Sequence, residues 1–227
     1  MSDPDFDALC LRLDQLGVRC LGFNMYCPPE VVIAGTGFDA VITQRYAKNL
    51  AGRAGKLNIA HVGIGSPMSR ILPDGFSRAL ANQQAREFFR ITADVFAEYG
   101  ITVCIEALGY CYCNFINTVS EAAEFVYMLD NPFIKLVADY YNMEHSGEAD
   151  ADLSPYLPIL HHMHISDDNG SPSGRSFLLE RKKDAHAQRL SRLYGAGYDK
   201  TLSVETDVEA TVEAATDTLK FLRGILA

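Results

Sequence analysis

Helical and extended patterns alternate along nearly the whole chain, and that rhythm leaves few folds open to it. Phe6, Leu9, Leu13 and Leu16 recur at helical spacing and stop at Gly17, which predicts a helix over 6–17 and a short strand over 18–23. The same reading gives helices over 39–54, 76–99 and 118–129, each followed by a strand, over 56–64, 101–106 and 134–139. A short proline-marked helix near 152–160 precedes a strand at 162–165. A helix over 176–194 then leads to a strand at 201–205, and a last helix covers 208–226. Strands joined by helices run parallel through right-handed crossovers, so the choice lies between a barrel and an open doubly wound sheet. No G-x-G-x-x-G or phosphate-binding loop follows any of the strands, which weakens the nucleotide-binding form of the open sheet.

Four of the strands carry a metal-ligand type at or beside their carboxyl end, all in the same phase. Successive strand residues point to opposite faces. Glu106 therefore shares a side with Cys104 and Thr102, Asp139 with Val137 and Lys135, His164 with His162, and Glu205 with Ser203 and Thr201. The opposite sides are bulky and apolar, as expected where helices pack against them. Gaps of 33, 25 and 41 residues between the four positions each leave room for one helix and its loops. The carboxyl end of the strands is where barrel enzymes carry their chemistry. Three carboxylates gathered there repel one another and call for a cation. Oxygen ligands with one imidazole suit Mn²⁺, Mg²⁺ or Co²⁺ better than the thiolate-rich sites typical of structural zinc.

Composition narrows the partners. The 227 residues are 48% hydrophobic and 22% charged, in the range of an ordinary globular protein, and no linker-like segment divides them, so a single domain is expected. A net charge of −9 spread along the sequence disfavours nucleic acid, which needs clustered Lys and Arg. No signal-peptide pattern or membrane-length apolar run is visible, and a cytoplasmic location follows by default. The six cysteines lack paired zinc-site spacing and are expected as reduced thiols.

The stretches Ile105-Glu106-Ala107-Leu108, Val137-Ala138-Asp139-Tyr140-Tyr141-Asn142-Met143, His162-Met163-His164-Ile165-Ser166-Asp167, Gly197-Tyr198-Asp199 and Ser203-Val204-Glu205 resemble the sugar isomerase and epimerase group of xylose-isomerase-like barrels. The segments Asn117-Thr118, Gly65-Ser66-Pro67 with Arg70, and Pro73-Asp74-Gly75-Phe76 add to the likeness, which spans almost the entire chain. The resemblance implies a TIM-barrel-like βα repeat, here lacking the first two of its eight strands. It implies one divalent metal ion, Mn²⁺ before Mg²⁺, Co²⁺ or Zn²⁺, held by Glu106, Asp139, His164 and Glu205. The two glutamates also become the acid/base pair of a ketose isomerase or epimerase working through an enediolate. A small sugar is the implied partner, with no nucleic acid or membrane, and a homo-oligomer is compatible with open strand edges. A dehydratase of the same superfamily and a non-catalytic metal- or sugar-binding barrel are the alternatives.

Three positions depart from the epimerases. Asn142 stands where the group often has histidine, Tyr112 where an acid follows the first glutamate by six residues, and Gly170 where an arginine follows the histidine by six, leaving Arg175 as its nearest replacement. Asn142, Tyr112 and Arg175, with Arg70 and His61 from the earlier half, are therefore the candidate substrate contacts. His162, one pleat period below His164, is expected in the core or beside the ligands.

Overall fold

In the computed structural model of the protein, residues 1–171 and 173–226 are described. Its helices are α1 (Asp3–Leu16), α2 (Ala40–Lys56), α3 (Arg78–Ala97), α4 (Val119–Leu129), α5 (Tyr140–His145), α6 (Lys183–Gly195) and α7 (Val212–Leu226). Its strands are β1 (Gly22–Phe23), β2 (His61–Ile64), β3 (Thr102–Glu106), β4 (Ile134–Asp139), β5 (Leu160–Ile165), β6 (Asp167–Asp168), β7 (Arg175–Ser176) and β8 (Thr201–Val204). Six strands form one parallel sheet in the order β1-β2-β3-β4-β5-β8, and β6 and β7 make a separate antiparallel ribbon. A doubly wound sheet reverses its strand order at a switch point. This order runs in one direction, as in a barrel, so the fold is a TIM-barrel-like βα repeat with six of the usual eight strands among the described residues.

The chain divides into two compact units, Met1–Cys104 with Leu129–Ile134, and Ile105–Met128 with the residues from Lys135 onward. In the first, α2 presents the small buried residues Ala47, Ala51 and Ala54, and α3 presents Ala81, Ala85, Phe88, Phe89 and Phe96. Small side chains let helices approach closely, and the aromatic rings fill the remaining space. Tyr26 anchors that packing, edge-on to Tyr46, Phe88 and Phe96 at ring distances of 5.4, 6.1 and 5.8 Å.

The second unit holds the register that matters for function. Asp139 of β4 pairs with His164 of β5, which pairs in turn with Ser203 of β8. Glu205 follows β8 directly, and its N–H donates to Ile165 O at 3.2 Å, extending the ladder by one residue. Phe115 packs edge-on against Phe125 of α4 at 6.1 Å.

Several expected boundaries shift. The strand expected over 18–23 contracts to Gly22–Phe23: Gly17 closes α1 in the left-handed conformation, and Leu21 O accepts from the Ala60 N–H at 2.8 Å just before the paired residues begin. The helix expected near 152–160 is a single 3₁₀ turn, Ser154–Tyr156, begun by a proline with an Asp152–Ser154 side-chain turn. The helix expected over 176–194 begins only at Lys183, since residues 175–176 pair with 167–168 instead. Helix α5 is an addition. Asp139 ends β4 and at once caps α5, its Oδ1 accepting from the Tyr141 N–H at 2.8 Å.

Candidate metal centre

Glu106, Asp139, His164 and Glu205 converge, each offering one ligand atom within 4.8 Å of the others. Ligand atoms on opposite sides of a divalent ion lie on the order of 4–5 Å apart, since the individual bonds run about 2.0–2.6 Å. His164 Nδ1 stands 3.0 Å from Glu106 Oε1, 3.9 Å from Asp139 Oδ2 and 3.7 Å from Glu205 Oε2. Glu106, Asp139 and His164 are buried, while Glu205 retains 27% of its side-chain exposure.

Electrostatics mark the cluster as short of positive charge. Burial alone would depress the His164 pKa, yet Glu106, Asp139 and Glu205 together push it up to about 9. Glu205 is raised to about 7 by burial first and then by the charges of Glu106 and Asp139, against the pull of His164 and Arg175. A donor set of three carboxylates and one imidazole, holding protons it would shed to a cation, fits a divalent metal. Such an ion would be held by these four residues.

Two of the expected substrate contacts are bound into this cluster. Asn142 Nδ2 donates to Glu106 Oε1 at 3.3 Å and Asp139 Oδ2 at 3.2 Å, and its Oδ1 accepts from the Gly109 N–H and from Arg175 Nη2, both at 3.2 Å. With two donor hydrogens and two acceptor lone pairs, the amide is fully used in joining the ligands to their surroundings. Arg175 Nη1 donates to Asp139 Oδ2 at 2.6 Å and Ser166 Oγ at 3.1 Å and forms an ion pair with Glu205 Oε2 at 3.0 Å. Its guanidinium carbon lies 4.5 Å from the Tyr141 ring centre and 5.7 Å from that of Tyr112. Burial lowers its pKa and the three acids more than reverse this, so it stays charged.

Tyr112 does not point a free hydroxyl at the ligands. Its OH donates to Ser173 O at 2.6 Å, and Tyr141 OH donates to Gly174 O at 3.1 Å, so both rings hold the loop between β6 and β7. In the sequence, Ser166 and Tyr141 stand out only within family-like stretches; the signal that could single them out is their position two residues beyond a candidate ligand, His164 and Asp139. His162 Nδ1 lies 2.7 Å from Thr201 Oγ1, with its ring 5.0 Å from that of His164, beside the ligands as expected. His61 and Arg70 belong to the other unit. His61 opens β2 and is buried, so close to Gly22 that a Cβ there would overlap its ring. Arg70 is wholly buried just after the 3₁₀ turn Pro67–Ser69.

A profile of the xylose isomerase-like TIM barrel family matches residues 1–225. The chain belongs to that family. Solved structures of similar fold include D-psicose 3-epimerase with D-tagatose from Clostridium cellulolyticum H10, at 17% identity and a TM-score of 0.76, covering 100% of this chain and 85% of that one. The IolI protein with a binding zinc atom is similar at 19% identity and a TM-score of 0.72, over 99% of this chain and 82% of the other. An AP endonuclease of family 2 from Brucella melitensis is similar at 21% identity and a TM-score of 0.69, over 92% and 80%. At these identities the likeness speaks for the barrel family's fold. No curated protein sequence matches the chain. Among the described residues, no helix of this family member is long and apolar enough to cross a membrane.

Proposed function

We propose that the protein is a metal-dependent isomerase or epimerase of a small ketose or related hydroxy-carbonyl compound. The observation that carries this reading is the convergence of Glu106, Asp139, His164 and Glu205 on the carboxyl ends of neighbouring strands. Epimerases among the structures of similar fold support the reaction class. Mn²⁺ is the proposed ion, on the preference of an oxygen-rich set with one imidazole. Bound there, it would supply Lewis-acid polarisation of a carbonyl oxygen.

The chain's own residues would do the rest. Glu106 and Glu205 approach the cluster from two different strands, which suits one of them to remove the proton beside the carbonyl and the other to return one. Partly exposed Glu205 is placed to meet a substrate entering from solvent, whereas buried Glu106 is fixed by Asn142 and His164. Asn142 serves to orient the Glu106 and Asp139 carboxylates.

The test is incubation of the Mn²⁺-treated protein with a panel of free and phosphorylated ketoses, followed by product analysis. Epimers or aldose-ketose isomers are expected. Dehydrated products alone would replace proton transfer with elimination, and no metal-dependent product across the panel would leave the enzyme reading without support.

A further inference from the structure

We propose that Arg175 is an internal counter-ion that competes with a divalent cation for this site, so that loading requires its guanidinium to give up Asp139 and Glu205. The inference rests on the metal-site reading above and concerns how that site is regulated.

The competition follows from which atoms are shared. Arg175 Nη1 is ion-paired with Asp139 Oδ2 and Glu205 Oε2, the same two oxygens that stand 3.9 and 3.7 Å from His164 Nδ1. Those oxygens face the imidazole across the space a common ion would take. A cation there would lie about 2.0–2.6 Å from each. Two positive charges would then share the same oxygens in a buried setting, where counter-ions screen them weakly.

The guanidinium also has a seat of its own that does not depend on the acids. Asn142 Oδ1 accepts from Nη2 and Ser166 Oγ accepts from Nη1, while the guanidinium carbon lies over the Tyr141 and Tyr112 rings. These partners are uncharged, so a small swing can release the carboxylates and leave the side chain housed. The backbone that carries it is fastened as well. The Arg175 N–H donates to Asp207 Oδ2 at 3.0 Å, and residue 175 pairs with Asp168 in the β6–β7 ribbon. Tyr112 and Tyr141, which flank the guanidinium, also hold the ribbon's loop through Ser173 O and Gly174 O. Arg175 is thus built to remain near the site in both states.

Mn²⁺ titration calorimetry, with thermal melting of the metal-free protein, tests this on the full chain for the parent, Arg175→Gln and Arg175→Lys. The Gln variant should bind Mn²⁺ about 5- to 100-fold more tightly, the usual span for coupling between two bound groups. Its metal-free form should melt lower than the parent, and Mn²⁺ should raise its melting temperature by more. Arg175→Lys, which keeps the charge but loses the fork that spans Asp139, Glu205 and Asn142, should tighten binding by less. It serves on its own if Arg175→Gln does not fold. A parent that binds Mn²⁺ alongside folded variants that bind it no more tightly would overturn the competition and leave the metal site standing. Failure of parent and variants alike to bind would overturn both.

Discussion

His164 Nδ1 lies 3.0 Å from Glu106 Oε1, although the two residues are 58 apart in the chain. The pair is buried, and Asp139 reaches the same imidazole from the strand between them in the sheet. Hydrogen bonds from Asn142 to both Glu106 and Asp139 fix which carboxylate oxygens turn toward the histidine. Asn142 thus sets two of the carboxylates in place, while Asp139 and Glu205 are also ion-paired to Arg175.

Asp139 has two duties that substitution can separate. Its Oδ1 caps α5 and its Oδ2 belongs to the cluster. Asp139→Ala and Asp139→Asn should both lose stoichiometric Mn²⁺ after desalting, by elemental analysis. Asparagine still caps a helix, so the Ala variant alone should lose about 0.5–2 kcal/mol more in urea unfolding. Full Mn²⁺ occupancy in either variant would remove Asp139 from the ligand set.

Much of this centre was legible in the sequence, because a strand of alternating character shows which residues share a face. The expected strand over 134–139 is the observed β4, and the four in-phase ligand types meet in space. What escaped was short and local. Helix α5 spans only Tyr140–His145, too few residues for a periodic pattern, and starts at a residue already assigned to a strand. The β6–β7 ribbon has two residues per strand around the turn-rich Asn169-Gly170-Ser171, too short to show a pattern, and its fastenings to Asp207, Tyr112 and Tyr141 are distant in sequence. Those two elements deliver Asn142 and Arg175, which is why the four candidate ligands were readable and the side chains bonded to them were not.

Gly109 is where backbone comes too close to α5 for any side chain. A Cβ there would lie 2.6 Å from His145 Cβ, and the Gly109 N–H donates to Asn142 Oδ1. Gly109→Ala should push α5 outward and loosen Asn142 from Glu106. Since misplacement by 1 Å can cost about 10²-fold in rate, turnover should fall severalfold or more and Mn²⁺ affinity should drop with it. Parent values for both would show that the contact relaxes elsewhere.

Acid stability should depend on Asp167, a buried carboxylate behind the site. Burial would raise its pKa, but the His186 ring at 3.1 Å, the Leu179 N–H at 2.7 Å and the Lys182 charge outweigh this and hold it below the ordinary value. A depressed folded value means the stabilisation is fully present above the unfolded pKa of about 4 and disappears as pH falls through the folded one. Asp167→Asn should therefore melt below the parent at pH 7, with the gap closing progressively below about pH 4. A gap independent of pH would assign the effect to packing.

If Glu106 and Glu205 move the proton beside the substrate carbonyl, as proposed, solvent deuterium enters at that carbon and its entry measures the transfer directly. With the best ketose of the panel and Mn²⁺ present, the parent should incorporate deuterium. Glu106→Gln and Glu205→Gln keep the side-chain shape and an oxygen ligand but lose the accepting charge, and each should slow exchange by about 10² to 10⁴. Exchange at the parent rate in both variants, with Mn²⁺ still bound, would show that neither glutamate is the base.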